Sequence, residues 1–457
     1  MSATRYDAII IGTGQAGPAL GSRLSAAGMK VAIAERGKFG GTCVNTGCIP
    51  TKTLVASAAV AHTVYVAHEY GVSVPVPASI DMRTVKARKD AISGKARDGT
   101  EASLRKLANG TVYVGHARFE SPREVRVGDD VLTADRIFIN VGGRASKPPI
   151  PGLAEVPFWD NSSMMKVDFI PQHLVVVGGS YIGLEFAQMY RRFGSAVTVV
   201  EMNQRLISRE DADVSEAIRD ILAHEGIVIR TGAECIALEK GPYGVRIRVD
   251  CEEGSPVVEG THLLLAVGRR PNTDDLGLDK AGVAVDARGY IQVDDQLRTS
   301  VPGIWALGDC NGKGAFTHTA YNDFEIVAAN LLDKDPRKVS DRIETYALFV
   351  DPPLGRAGMT EAAARKTGRK VLVGKRLMSA IKRAEEKGQT QGFMKIVVDA
   401  ESKQILGAAI LGVGGDEIIH TILDVMYARA PYTVMQRAMH IHPTVSEYLP
   451  TVLGDLH

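Results

Sequence analysis

The sequence predicts an α/β protein with two Rossmann-like dinucleotide-binding domains followed by a C-terminal α+β domain. The main observation is a strand, glycine-rich turn, helix and strand unit that occurs twice, at residues 7–35 and at residues 173–201. The region from Thr360 onward alternates helical and strand patterns without a glycine fingerprint. A chain of 457 residues is long enough for about three domains.

The first unit has the glycine spacing of a dinucleotide-binding turn. Its glycines are Gly12, Gly14 and Gly17, and its second strand ends in Glu35. The first glycine permits a tight turn, the second lets the backbone approach a pyrophosphate, and the third allows close packing of helix and strand. The free N–H groups at the helix start would bind phosphate, and the acid would accept a hydrogen bond from a ribose 2′-hydroxyl.

The second unit repeats the same positions. The residues that we expect to bind the second nucleotide are Gly178, Gly179, Tyr181, Ile182, Gly183 and Glu201. Ser180 stands at the position of the middle glycine, and its side chain narrows the space in which a pyrophosphate approaches the backbone. The adjacent Gly179 can share the role of the middle glycine. Glu201 favours NADH because its carboxylate would repel a 2′-phosphate, whereas Arg205 leaves NADPH open. Two such units indicate one nucleotide that is held and one that is exchanged.

The composition excludes several classes of partner. The chain has 54 Lys and Arg against 53 Asp and Glu, a net charge of +1, so no charge excess favours nucleic acid or an anionic membrane. No apolar run approaches the roughly 18 residues that span a bilayer. The first residues lack a cleavable signal-peptide site, so we expect a cytoplasmic protein. Five cysteines in a chain of this length do not form a disulfide framework.

Cys43 and Cys48 form a close pair in residues 40–52. In an ideal helix, residues five apart have Cα atoms roughly 8.6 Å apart, whereas a disulfide needs about 4.4–6.8 Å. A bridge therefore requires a distorted turn, which Gly47 helps to allow. A strained bridge is easy to reduce, as a catalytic disulfide must be. Two structural thiols remain an equal alternative from spacing alone; zinc is less favoured because no second Cys/His pair accompanies them.

Residues 40–52 resemble the redox-disulfide signature of the class I pyridine nucleotide-disulfide oxidoreductases, flavoenzymes that include lipoamide dehydrogenase, glutathione reductase and mercuric reductase. Other segments resemble further motifs of this family, in the family's order along the chain. They are residues 181–185, 268–272, 306–309 and 440–447.

The resemblance implies a domain layout and a homodimer. Residues 1–145 and 265–337 would form the FAD-binding domain, the second part adding a central region. Residues 146–264 would bind NADH or NADPH, and residues 338–457 would form the dimerisation domain. The further residues that the resemblance assigns to the flavin side are Gly41, Thr42, Lys52, Gly268, Gly308 and Asp309, with Lys52 paired to Glu185.

The resemblance also implies a mechanism. Hydride from the nicotinamide would pass through the flavin to a Cys43–Cys48 disulfide. Cys48 would become the thiolate beside the flavin, and Cys43 would exchange with substrate. His442, oriented by Glu447, would be the acid–base and would reach over from the other subunit. From the residues alone, His442 reads as a histidine before a helix start at Pro443. We expect no metal site.

The expected substrate is a small disulfide or dithiol, lipoamide-like or glutathione-like. The alternative is a mercuric reductase-like enzyme that reduces Hg(II) or another thiol-reactive metal or oxidant. Residues 453–457 lack the vicinal cysteines of typical mercuric reductases, which speaks against its standard form. A remote alternative is a nucleotide-binding sensor without catalysis, which the intact set of cysteines, His442 and Glu447 disfavours.

Overall fold

The computed structural model describes residues 3–74, 79–250 and 255–457. It confirms the α/β fold class predicted from the repeated unit. The three cysteines outside residues 40–52 are Cys235, Cys251 and Cys310, and the sequence predicts structural roles for them. Cys251 lies outside the described residues. Cys310 is fully buried, and its thiol donates to the backbone oxygen of Leu307 at 3.3 Å.

The N-terminal part of the chain contains the first predicted unit as β2, α1 and β3. Its strands are β1 (Thr4–Arg5), β2 (Ala8–Ile11), β3 (Val31–Glu35), β4 (Gly110–Val114), β5 (Ala117–Ser121), β6 (Glu124–Val127), β7 (Asp130–Thr133), β8 (Arg136–Ile139) and β9 (Gly143–Ala145). Its helices are α1 (Ala16–Ala26), α2 (Gly41–Asn45), α3 (Cys48–Val66) and α4 (Met82–Arg105). Strands β2 and β3 are buried along their whole length, as apolar parallel strands covered on both faces should be.

The next part contains the second unit as β10, α6 and β11. Its strands are β10 (His173–Val177), β11 (Ala196–Val200), β12 (Val228–Arg230), β13 (Glu234–Gly241), β14 (Gly244–Asp250), β15 (Val257–Gly260) and β16 (His262–Leu265). Its helices are α5 (Asn161–Met164), α6 (Tyr181–Phe193) and α7 (Ala212–His224). A parallel sheet in the order β12-β11-β10-β16 lies beside an antiparallel one in the order β13-β14-β15.

The chain then returns to its first sheet. The elements of this part are β17 (Arg269–Pro271), α8 (Leu278–Ala281), β18 (Ile304–Ala306) and α9 (Thr317–Ala328). Strand β18 pairs in parallel with β8 and completes a sheet in the order β18-β8-β2-β3-β4. The carboxyl ends of these parallel strands share one edge, where ligands of open α/β sheets bind.

The C-terminal part forms an antiparallel sheet in the order β19-β20-β23-β22-β21. Its strands are β19 (Thr345–Leu348), β20 (Leu354–Gly358), β21 (Val371–Leu377), β22 (Phe393–Asp399) and β23 (Ile405–Leu411). Its helices are α10 (Glu361–Lys366), α11 (Lys382–Glu386), α12 (Gly415–Tyr427), α13 (Thr433–Gln436) and α14 (Leu449–Gly454). The apolar face of α12, including Ile419 and Ile422, packs into the core of this part. Within the described ranges, no helix has the length and apolar character needed to cross a bilayer.

A buried ion pair joins the C-terminal sheet to the second unit. Arg356 on β20 donates from Nε to Glu210 Oε1 at 3.1 Å, and its Nη2 bonds the other carboxylate oxygen. The Tyr346 hydroxyl donates to the same carboxylate. The Arg356 and Glu210 side chains are 1% and 0% exposed. Because a buried charge is costly unless paired, each partner depends on the other.

Glu210→Ala is expected to lower the free energy of unfolding by about 3–5 kcal/mol, because it leaves the Arg356 guanidinium buried without its carboxylate. Denaturant unfolding of the purified protein measures this. Glu259→Ala, which breaks the half-exposed pair of Glu259 with Arg246, is the matched control. Its cost should stay within about 1 kcal/mol. If both variants lost the same free energy of unfolding, the buried pair of Arg356 and Glu210 would be no more important than the half-exposed one.

Candidate active site

A cavity of about 1500 Å³ opens at the carboxyl edge of the first sheet and extends to the second unit and the C-terminal part. Residues from every part of the chain line it, including Gly12, Cys43, Tyr181, Asp309 and Tyr346. The two cysteines and the first glycine-rich turn therefore face one common space. Tyr181 and Ile182 bring the start of α6 to the same space.

The first glycine-rich turn is built against Asn140, the residue after β8. Gly12 has a φ of +98°, and a Cβ there would collide with the Asn140 carbonyl oxygen. The Asn140 side chain accepts from Gly17 N at 3.0 Å and donates to Leu307 O at 2.9 Å. Sequence reasoning missed Asn140; the available signal was a polar residue directly after a buried parallel strand, at the edge where ligands bind.

The observed turn fits the phosphates of a dinucleotide. A Cβ on Gly14 would lie 2.9 Å from the Asn140 side-chain oxygen, and a Cβ on Gly41 would lie 2.9 Å from the Gly14 Cα. Gln15, at the N-cap of α1, makes no side-chain capping hydrogen bond. Gly17 N already donates to Asn140 and Pro18 has no N–H, so among the first three residues of α1 it is the N–H of Ala16 that can face an anion.

Each of the two predicted acids accepts a backbone hydrogen bond from the glycine-rich turn of its own unit. Glu35 accepts from Thr13 N at 2.9 Å and from Gly37 N at 2.8 Å. Glu201 accepts from Gly179 N at 2.6 Å and from Asn203 N at 2.8 Å. These bonds hold each carboxylate at the end of its strand. Glu35 lines the large cavity, and Glu201 lines a neighbouring pocket of about 120 Å³.

The second turn tolerates its serine. Gly178 has a φ of +117°, and Gly183 packs so closely that a Cβ would collide with the Gly178 carbonyl oxygen. Ser180, at the N-cap of α6, has φ −113° and ψ −171°, extended backbone that any residue adopts. The position therefore has no conformational need for glycine.

The helix is interrupted between the two cysteines. Cys43 lies in α2, which ends at Asn45, and Cys48 is the first residue of α3. Gly47 between them has ψ −120°, and a Cβ there would lie 2.9 Å from the Thr42 carbonyl oxygen. Asn161 Nδ2 donates to the Thr46 oxygen at 2.9 Å and ties this break to α5. The sequence-based argument for a distorted turn thus has a structural counterpart.

Both cysteines are free thiols in this structure, with Cys43 half-buried and Cys48 exposed in the cavity. A hydrogen bond from the Cys43 thiol, the Thr317 hydroxyl and the charge of Lys52 together lower the pKa of Cys48 to about 6. The same bond and burial raise the pKa of Cys43 far above its ordinary value. These contacts favour the negative charge of the reduced pair on Cys48 rather than on Cys43.

Lys52 and Glu185 form an ion pair one helical turn from Cys48. Lys52 Nζ donates to Glu185 Oε2 at 2.5 Å, and the Glu185 side chain is buried. Phe349 N donates to the other oxygen at 3.1 Å, and Lys52 lies 4.4 Å from the centre of the Phe349 ring. The pair joins α3 to α6 and places a cation on the cavity wall.

The expected second flavin segment, with Gly308 and Asp309, also lines the cavity. Gly308 N donates to Asp323 at 2.7 Å, which fixes the turn that carries Asp309. Burial raises the pKa of Asp309, and Arg269 lies 3.5 Å from its carboxylate. Gly268, with a φ of +111°, also lines the cavity.

His442 and Glu447 form a pair, but not in the cavity of their own chain. His442 Nδ1 lies 2.9 Å from Glu447 Oε2, and the His442 side chain is 78% exposed. Neither residue is among those lining the cavity. The neighbouring Met439 and Ile441 are 100% and 79% exposed. A single chain therefore does not bring the imidazole to the cysteines.

Two residues at the start of α9 complete the wall. Thr317, which sequence reasoning missed, has its Oγ1 3.1 Å from Cys48 Sγ. His318, whose position in the sequence suits flavin contact and packing equally, has Nε2 2.8 Å from Thr345 O and stacks on Phe316. Burial lowers the pKa of His318. Among the residues that the structure describes, no cluster of three or more His, Cys, Asp or Glu could hold a metal ion.

Nearly the whole chain matches known protein families. Residues 6–323 match the family described as pyridine nucleotide-disulphide oxidoreductase. Residues 345–453 match the dimerisation domain of the same family.

Three relatives illustrate the range of similar proteins. Escherichia coli RclA, a probable pyridine nucleotide-disulfide oxidoreductase, is 36% identical over 97% of this chain and 98% of its own. Dihydrolipoyl dehydrogenase of Thermus scotoductus is 34% identical, over 99% and 97%. Mercuric reductase of Bacillus cereus is 30% identical, over 95% and 70%. A solved Cu(II) complex of the HOCl-induced flavoprotein disulfide reductase RclA superposes with a TM-score of 0.88 at 35% identity, covering 98% of this chain and 99% of that one.

The Cys48 thiolate is expected to titrate near pH 6. A thiolate beside an oxidised flavin gives a long-wavelength absorption band, so the band of the NADH-reduced protein should fade as the pH falls through this value. Cys43→Ala cannot form the disulfide, so its band is measured without NADH, while the flavin is oxidised. This variant lacks the donor that lowers the Cys48 pKa most, so its band should fade at a higher pH. Cys48→Ser should show no band at any pH. A band that persists in Cys48→Ser would place the thiolate on another residue.

Proposed function

Because the chain belongs to the pyridine nucleotide-disulfide oxidoreductase family, whose members are flavoenzymes using FAD and NAD(P)H, we propose that it uses NADH to reduce a small disulfide substrate, or runs the reverse dithiol oxidation. The observation that carries this proposal is the position of Cys43 and Cys48. They face the same cavity as the first glycine-rich turn and the start of α6. When bound, FAD accepts hydride from the nicotinamide and passes two electrons to the cysteine pair.

We assign the binding of FAD to the N-terminal part and to the segment that returns to its sheet. Gly12, Gly14 and Gly17 would receive the pyrophosphate, and Glu35 the ribose. The remaining flavin-side residues would be Gly41, Thr42, Lys52, Gly268, Gly308 and Asp309. The return of β18 to the sheet of β2 supports a flavin domain built from residues 1–145 and 265–337. Residues 146–264 would bind the nicotinamide nucleotide, and residues 338–457 would form the dimer.

The cysteines would perform the disulfide exchange. With the pair reduced, a base removes the Cys43 proton, and the Cys43 sulfur attacks one sulfur of the substrate disulfide. A mixed disulfide forms, the substrate S–S bond breaks, and the first thiol leaves with a proton. The Cys48 thiolate then attacks the Cys43 sulfur. This releases the second product as a thiolate, which takes a proton from solvent, and restores the Cys43–Cys48 bond. Removal of the Cys43 proton requires a base because the pKa of this thiol is raised.

We propose that this base is His442 of the partner subunit in a homodimer. The imidazole is exposed, paired to Glu447 and remote from its own cavity, and exposed apolar side chains flank it. The match of residues 345–453 to a dimerisation domain supports the same arrangement. A cytoplasmic location is proposed with it, because a reducing compartment keeps such a pair in turnover.

NADH is the proposed reductant. Glu201 directly follows β11 beside the second glycine-rich turn, where its carboxylate would bind a ribose 2′-hydroxyl and repel a 2′-phosphate. Gly178, Gly179, Ile182 and Gly183 would hold the pyrophosphate side, and Tyr181 would face the nicotinamide.

A second candidate is reduction of a soft metal ion such as Cu(II) or Hg(II). The Cu(II) complex of a relative 35% identical to this chain supports it. Thiolates bind such ions, and an exposed thiolate of low pKa is available in Cys48. Two electrons from NADH would reduce two Cu(II) ions to Cu(I) or one Hg(II) ion to Hg(0).

Anaerobic assays with lipoamide, glutathione disulfide, Cu(II) and Hg(II)–thiol complexes distinguish these candidates. We expect disulfide reduction that is faster with NADH than with NADPH, and Glu201→Gln should narrow this difference. Cys43→Ala should abolish disulfide turnover while NADH still reduces the flavin. Metal reduction without disulfide reduction would favour the second candidate. Disulfide turnover that survives Cys43→Ala would overturn the proposed role of the cysteine pair.

Mixed dimers test the shared site. Cys43→Ala and His442→Gln should each inactivate the homodimer. A heterodimer of the two single variants, purified through two different tags, should regain about half of the wild-type activity, because one of its two sites is intact. The reciprocal control pairs a wild-type chain with a chain carrying both changes, and it should stay inactive. If His442 acted within its own chain, the two heterodimers would show the opposite result.

A further inference from the structure

Thr317 contacts Cys48 but has no role in the disulfide exchange proposed above. It is the first residue of α9, and its Oγ1 lies 3.1 Å from Cys48 Sγ. The site is rigid: Phe316 N donates to Thr319 Oγ1 at 3.1 Å, and the Phe316 ring stacks between His318 and Tyr346 at centroid distances of 5.3 and 5.8 Å. The hydroxyl is therefore held against the sulfur by packing that does not depend on Cys48.

We propose that Thr317 donates its hydroxyl hydrogen to the Cys48 thiolate and thereby holds the negative charge of the reduced pair on Cys48. This inference rests on the proposed function. A hydroxyl can donate or accept, but a thiolate can only accept, so the direction of the bond is settled once the pair is reduced. A hydrogen bond to a charged acceptor is stronger than one between neutral groups. The positive N-terminal end of α9 favours the same negative charge.

The other groups that face Cys48 come from different elements. Cys43 on α2 donates to it, Lys52 on α3 attracts its charge, and Glu185 on α6 opposes it but is neutralised by Lys52. His442 of the partner subunit is the further group that the proposed dimer brings near. Thr317 supplies the hydrogen-bond donor from α9. It also lowers the pKa of Cys43, which nevertheless stays far above its ordinary value through the bond to Cys48.

The hydrogen bond from Thr317 would also assist turnover, at the step in which Cys48 resolves the mixed disulfide. Cys48 must be ionised when the mixed disulfide on Cys43 is resolved, since the thiolate is the attacking form. A donor held in place by the α9 packing lets Cys48 stay ionised at neutral pH even while Cys43 is bonded to substrate and cannot donate. Thr317 would then become the principal donor to the attacking sulfur.

The test compares Thr317→Val, which keeps the shape and loses the hydroxyl, with Thr317→Ser, which keeps the hydroxyl. The pH midpoint of the long-wavelength band is measured in the flavin-loaded protein, both with intact cysteines after reduction and in the Cys43→Ala background. In both settings the valine variant should move the midpoint upward by about one pH unit. The serine variant should leave it near the wild-type value.

Equal midpoints for Thr317→Val and the wild type would overturn the inference, as would equal shifts in the valine and serine variants, because these would indicate a packing role. Thr317→Ala provides a second variant without a hydroxyl if the valine variant does not bind flavin. Absence of the band in the wild-type protein would instead overturn the proposed function. The two failures are therefore distinguishable.

Discussion

The chemistry of this protein depends on one interruption of a helix. Residues 41–66 would place Cys43 and Cys48 too far apart for a bond if they formed a continuous helix. The break falls at Gly47, whose backbone is non-helical and lies so close to the Thr42 carbonyl oxygen that a side chain would not fit. Asn161 holds the neighbouring Thr46 from α5. The break therefore brings the cysteines together and also places Cys48 at the first position of α3.

Position at the start of α3 exposes Cys48 to groups from four separate elements. Cys43, Lys52 and Thr317 all lower its pKa, and burial alone would raise it. Lys52 is itself anchored by Glu185, whose buried carboxylate also binds the backbone of Phe349. Negative charge on Cys48 is thus favoured by the packing of the N-terminal part, the part that contains the second unit and the C-terminal part, and not by the local sequence alone.

The two glycine-rich turns have the same glycine spacing but differ at the middle position, which is Gly14 in the first turn and Ser180 in the second. Gly12 and Gly178 have positive φ and lie against a carbonyl oxygen, so neither position accepts a side chain. Ser180 adopts extended backbone and needs no glycine. In the first unit, a Cβ at the matching Gly14 would press against Asn140. The requirement for the middle glycine therefore arises from a neighbouring strand rather than from the turn itself.

The sequence by itself determined the fold class and the family, because the glycine spacing, the strand-ending acids and the cysteine motif are local patterns read along the chain. It also indicated Lys52 and Glu185 through their motifs. Only the tertiary structure revealed Asn140 and Thr317 as site residues, because each contacts its partner across more than a hundred positions of sequence. For His442, even the folded single chain is insufficient: its imidazole is not among the residues that line the cavity of its own cysteines, so the role proposed for it depends on how two copies pack.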